Sequence, residues 1–128
     1  LRHEVLVAVY VDEGGHALGD IVLDSGGGDW IGGRYRTVLE PALRLGAHGF
    51  LLAHNHPSGD PRASRADIRA TRALAALARA LDTELVDHLV VGGGEVTSLR
   101  AAGLVEVPAW RRVVDRLPGG VERRRRAA

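Results

Sequence analysis

Apolar and polar positions divide this chain into short strand-like runs and two longer helical stretches. Residues 4–12 (EVLVAVYVD) are β-rich and partly alternating, and residues 17–24 (ALGDIVLD) form a second strand candidate. Glu13-Gly14-Gly15-His16 between them reads as a hairpin turn. Residues 35–46 read as a helix ending at Gly46, with Val38, Leu39, Ala42, Leu43 and Leu45 on its apolar side. Pro41 lies inside that stretch, where it removes a backbone donor and clashes one turn back, so a late start or a kink is expected. Phe50 to Ala53 is a short apolar run bounded by Gly49, the pattern of a buried strand. A second helix is expected over 64–81, with Ile68, Thr71, Leu74, Leu77, Ala78 and Leu81 at helical spacing toward the core. Arg65, Arg69, Arg72 and Arg79 fall on another stripe, expected to be solvated. Residues 84–91 (ELVDHLVV) predict a strand, Gly92 to Gly94 a turn, and Glu95 to Leu99 a last strand. Asp87 and His88 sit mid-strand, and an internal histidine bonded to backbone is the expected state for His88.

The two ends of this pattern are less regular. Residues 25–33 (SGGGDWIGG) have no G-x-G-x-x-G spacing, and the chain has no P-loop lysine, so they predict a connection anchored by Trp30 and Ile31 and not a nucleotide cradle. Residues 108–117 (PAWRRVVDRL) predict a short amphipathic helix with Pro108 at its start. Pro118-Gly119-Gly120 ends it, and Arg123 to Ala128 are expected to be a disordered basic tail.

Composition narrows the chemistry. The 128 residues suit one domain with one core, and aromatics at 4% predict a core of Leu, Val and Ala. The absence of cysteine excludes disulfides, thiol catalysis and cysteine-ligated zinc, including that of the zinc nucleobase deaminases. It permits a reducing compartment, and a cytoplasmic location is expected. No apolar run reaches the ~18 residues of a membrane span, and no signal peptide is legible at the start. The chain opens on Leu1 and not on Met, as a fragment or trimmed chain does. All seventeen basic residues are Arg, as codon bias in a GC-rich genome produces. Net charge is +1, but residues 1–122 carry 13 Arg against 16 acids, so the expected domain is not a basic nucleic-acid surface.

The chemistry gathers in residues 51–67, LLAHNHPSGDPRASRAD. His54 and His56 are two apart, so at a strand end both imidazoles point to one side. Pro57, Ser58, Gly59, Asp60 and Pro61 turn the chain, and a helix restarts at Ser64 with Asp67 in its first turn. Two His and one Asp with a fourth position open form a catalytic zinc shell. Each piece alone has a plainer explanation. A lone H-x-H is ordinarily a surface or core pair, and Ser64-x-x-Asp67 is close to a helix capping box. His3-Glu4 is not H-E-x-x-H, because residue 7 is Val, and His54-Asn55-His56 is not the HNH nuclease motif, whose residues are spread over a ββα finger.

The spacing H-x-H, seven residues, Ser, two residues, Asp resembles the JAMM (MPN) metalloprotease signature. The wording HNHPSGDP with Ser64, Asp67 and Thr71, flanked by ALRLGAHGFLLA and LVDHLVVGGG, is similar to the RadC branch of that family over roughly residues 3–103. The resemblance implies an α/β domain over 1–103, with a mixed, curved sheet and flanking helices, and a C-terminal extension over 104–128. It implies Zn2+ on His54, His56 and Asp67, whose open position takes a water made more acidic by the metal. It implies Glu4 as general base and Ser64 as donor to the developing oxyanion. It implies hydrolysis of amide or peptide bonds in a peptide or protein substrate, with no membrane partner. The RadC name also implies DNA repair, which keeps a metal-dependent nuclease with weak nucleic-acid binding, or a non-catalytic binding module, as rivals. RadC relatives carry a proline where Tyr35 stands here. They also carry a helix-hairpin-helix region, not legible in this sequence, so DNA contact through it is expected to lie off this chain.

Overall fold

The computed structural model describes residues 4–24 and 34–105. Readings that fall on 25–33 and 106–128, including the Trp30–Ile31 anchor, the 108–117 helix and the Arg tail, lie outside the described residues. Seven elements follow in chain order: β1 (Val5–Val11), β2 (Ala17–Asp24), α1 (Tyr35–Arg44), β3 (Gly49–Asn55), α2 (Arg65–Ala80), β4 (Glu84–Gly92) and β5 (Glu95–Ser98). They make an α/β fold with a five-stranded mixed sheet of order β2-β1-β3-β4-β5. Neighbouring strands are antiparallel except β3 and β4, which are parallel and joined through α2. A parallel pair needs such a crossover, and this one delivers the start of α2 beside the end of β3.

Two strand registers position the chemistry-bearing side chains. In the antiparallel β1–β3 pair, Leu6 lies opposite His54, so the residue before Val5 comes beside the one after Asn55. In the parallel β3–β4 pair, Phe50 pairs with Leu85 but Leu51 pairs with Asp87, so the ladder skips Val86. A one-residue skip exchanges the faces of everything beyond it. It brings His88 level with Leu52 and Val90 level with His54, on the buried face.

One core cluster joins that face to both helices, through Leu6, Ala8, Tyr10, Val38, Ala42, Phe50, Leu52, Leu74, Ala78 and Val90. Aromatics are few, yet Tyr10 and Phe50 are its largest fully buried side chains, with ring centroids 6.0 Å apart, so the core is not of Leu, Val and Ala alone. The Tyr10 hydroxyl donates to the Val38 carbonyl and ties α1 to β1.

Both helices correct the pattern. α1 starts at Tyr35 and carries Pro41 inside it, with no late start. The carbonyl one turn back that loses its donor is that of Thr37, an exposed residue, so water can serve it. In α2 the buried line is Asp67, Ala70, Thr71, Leu74 and Ala78, while Leu77 and Leu81 are 42% and 43% exposed. Small Ala70 and Ala78 face the sheet, and polar Asp67 and Thr71 share that line. The four arginines of α2 are exposed as expected, with Arg72 donating to the Leu104 carbonyl.

Candidate metal centre

His54 is the sixth residue of β3 and is 2% exposed. His56 follows the strand, yet its backbone N–H still donates to the Val91 carbonyl at 2.8 Å, extending the β4 pairing. The chain then turns, with Gly59 at φ 84° and its N–H on the His56 carbonyl. Asp60 closes the loop. Its carboxylate accepts from Arg62 N–H at 2.9 Å and from Arg62 Nε and Nη2 at 3.0 and 2.8 Å. The Arg62 guanidinium holds the Asp60 carboxyl down to about 2. Its main-chain carbonyl stands 2.9 Å from His56 Nδ1. A carbonyl only accepts, so Nδ1 carries a proton, and a neutral His56 ring presents its lone pair at Nε2.

Asp67 arrives in the first turn of α2, positioned by a capping box. Ser64 Oγ accepts from Asp67 N–H at 3.0 Å, and Asp67 Oδ2 accepts from Ser64 N–H at 2.9 Å. The same Oδ2 lies 3.0 Å from His56 Nε2 and 3.5 Å from His54 Nε2, and the two Nε2 atoms are 3.0 Å apart. Burial pushes the Asp67 carboxyl up, but the His54 ring and the Ser64 N–H outweigh it and hold it well below the usual range. Donors ~2.0–2.1 Å from a tetrahedral zinc stand about 3.3 Å from one another, so this donor set fits such an ion.

Glu4 completes the group. The Asn55 side-chain oxygen accepts from Val5 N–H at 2.7 Å and fixes the start of β1 against the end of β3. A Glu4 carboxylate oxygen and one ring nitrogen each of His54 and His56 then lie within 4.8 Å of one another. Glu4, His56, Ser64, Pro57, Ser58, Asp60, Arg62 and Ala63 line a cleft of about 590 Å³. All five residues singled out in the sequence therefore meet at one place.

Residues 1–104 match the RadC-like JAB domain family. The chain belongs to that family. Similar relatives are a UPF0758 protein of Symbiobacterium thermophilum, 51% identical over 70 residues, and one of Aquifex aeolicus, 34% identical over 104 residues. These cover 55% and 81% of this chain but only 30% and 45% of the relatives. A UPF0758 protein of Geobacter sulfurreducens is likewise 34% identical over 104 residues. The chain thus spans less than half the length of these curated relatives.

The RadC-like site also contains residues whose part the sequence did not reveal. His88 is fully buried, and its ring binds side chains, contrary to the expected backbone partner. Nε2 is 2.7 Å from His54 Nδ1, and Nδ1 is 2.7 Å from Thr71 Oγ1. Burial, then the neighbouring His54, pulls the His88 pKa down to about 3. Its neighbour Asp87 stays structural, accepting from the N–H groups of His88 and Arg100 and from the Ser98 hydroxyl. Asn55, Asp60 and Gly92 carried no separate signal. The cluster Gly92-Gly93-Gly94 reads in the sequence as a turn.

Proposed function

We propose that this RadC-like domain is a zinc-dependent hydrolase of amide or peptide bonds, isopeptide bonds included. The observation that carries the reading is the triangle of His54 Nε2, His56 Nε2 and Asp67 Oδ2, with sides of 3.0, 3.0 and 3.5 Å. These three residues would hold the zinc. When bound, zinc supplies Lewis acidity and makes a water a competent nucleophile near neutral pH.

The protein's own groups do the rest. Glu4 shares the histidines with a second possible donor set, but the Asp67 oxygen is in contact distance of both rings and is fixed by the helix cap. That favours Asp67 as ligand and leaves Glu4 to take a proton from the attacking water. Ser64 Oγ accepts from the helix, so its own proton is available to a developing oxyanion. A stripe of Arg continuous with the cleft would favour a nuclease. Among the described residues lining it, Arg62 is the one arginine, and Asp60 holds it.

Elemental analysis of protein purified without chelator is expected to give one zinc per chain, lost in the double variant His54→Ala, His56→Ala. A cleavage screen over peptides, isopeptide-linked conjugates and nucleic acids then tests the substrate class. Unchanged zinc content in the double variant overturns the site, and metal-dependent cleavage of nucleic acid alone overturns the substrate class.

A further inference from the structure

We propose that His88 and Thr71 act as a proton-ordering pair that fixes which nitrogen of His54 faces the centre. The functional consequence rests on the zinc reading. The ordering itself comes from four groups in a row. Thr71 Oγ1 lies 2.6 Å from the Asp67 carbonyl, which can only accept, so the single hydroxyl proton is spent there. Toward His88 Nδ1, at 2.7 Å, the same hydroxyl can then only accept, so Nδ1 carries a proton. His88 is fully buried, and a second proton would place a cation there beside two histidines. Its Nε2 is therefore a lone pair and accepts from His54 Nδ1–H at 2.7 Å.

A neutral His54 ring therefore carries its proton on Nδ1 and turns its Nε2 lone pair toward the centre. The Asp60 carbonyl leaves His56 Nε2 in the same state. With both rings neutral, the 3.0 Å approach of the two Nε2 atoms brings two lone pairs together. Two lone pairs and a carboxylate oxygen converge, and a cation relieves their repulsion. A ligating histidine whose other nitrogen is held this way gains basicity and a fixed ring orientation, and such support is typically worth ~10–100-fold in metal affinity. The skipped residue Val86 makes the arrangement possible, since it puts His88 on the face of His54. α2 supplies both ends of the chain of bonds, Asp67 and Thr71 one turn apart.

The test has one arm without metal. Long-range 1H–15N correlation of the imidazoles in chelator-treated protein is expected to show His54 and His88 both protonated on Nδ1. A neutral His54 ring with its proton on Nε2 overturns the proposal. The second arm is competition titration of Zn2+ against a chromophoric chelator. His88→Leu and Thr71→Val are expected to weaken zinc about 10–100-fold. Thr71→Ser keeps the hydroxyl, and His88→Gln keeps an acceptor and a donor, so both are expected to retain most of the affinity. In Thr71→Val, His88 loses its acceptor, and the His54 proton is expected to move to Nε2. Wild-type zinc affinity in both His88→Leu and Thr71→Val overturns the proposal. If His88→Leu does not fold, the contrast between Thr71→Val and Thr71→Ser decides. If wild type binds no zinc but His54 has its proton on Nδ1, the zinc reading fails and the proton order stands.

Discussion

Gly92→Ala probes how the loop holds His56. A methyl at Gly92 would sit 2.7 Å from the main-chain carbon and oxygen of Asp60 and 3.0 Å from the Gly59 carbon. All three are backbone atoms, so no side-chain rotation relieves the contact. Ordinary contact begins near 3.4 Å, so the loop must retreat by about 0.7 Å. The displaced oxygen is the one that orients His56, 2.9 Å from Nδ1. A retreat along that line gives about 3.6 Å, no longer a hydrogen bond. The expected cost is about 1–3 kcal/mol of stability from overpacking, and a zinc affinity lower by about 10–100-fold because His56 loses its orienting partner. Thermal unfolding of the metal-free protein measures the first, and competition titration with a chelator the second. Gly46→Ala is the control. Its φ is 62° and no atom lies within 4 Å of the added methyl, so it costs about 1–2 kcal/mol of backbone strain and leaves zinc binding unchanged. If Gly92→Ala melts with wild type and binds zinc as tightly, the loop absorbs the methyl and the proposed coupling to His56 is wrong.

Glu4→Gln is expected to keep zinc and lose hydrolysis by about a hundredfold to ten-thousandfold, whereas Asp67→Asn lowers both together. Equal zinc loss in the two variants would make Glu4 a ligand and close the position that water needs. Asp60 is expected to titrate near 2 by carboxyl NMR, and nearer its ordinary 3.8 in Arg62→Ala. Its folded pKa is depressed, so the stabilisation it gives the loop is present above about 3.8 and is lost as pH falls through 2. An unchanged Asp60 midpoint in Arg62→Ala would remove Arg62 as the cause.

Most strands were legible because their apolar runs are bounded by glycine or turn residues, as Gly49 bounds β3. The inward face of α2 was only half legible. Thr71, Leu74 and Ala78 face inward as their spacing indicated, but Leu77 and Leu81 are exposed, and Asp67 and Ala70 share the inward line instead. The meeting of Glu4 with His54 and His56 depends on a register that no local pattern encodes. Asn55, which fixes it through Val5, reads in sequence as the spacer of an H-x-H. His88 was hidden for a similar reason. Strict alternation along 84–91 gives no sign that the ladder skips Val86, and without the skip His88 would face the other side of the sheet.

The Ser64-x-x-Asp67 pattern could not be assigned to cap or to site, and the geometry explains why the alternatives do not compete. The Asp67 oxygen that accepts from Ser64 N–H is the same oxygen that faces both histidines. Capping therefore aims the carboxylate, and the helix N-terminus contributes positive potential that favours its ionised form. Burial opposes ionisation, but the His54 ring and the Ser64 N–H prevail, so Asp67 remains an anion at neutral pH. Ser64 is used in the same double way, since accepting from Asp67 N–H leaves its hydroxyl proton free to turn toward the cleft. A capping box at the mouth of a cleft is thus a means of presenting one carboxylate and one hydroxyl at fixed positions. Asp67→Asn tests the two functions at once. The amide oxygen can still accept from Ser64 N–H, so the cap should survive while the anionic donor is lost. Helix content and unfolding temperature near those of wild type, with zinc affinity reduced, are the expected result. Loss of the fold together with the metal would mean that the carboxylate serves the helix first, and that its place beside the histidines is incidental.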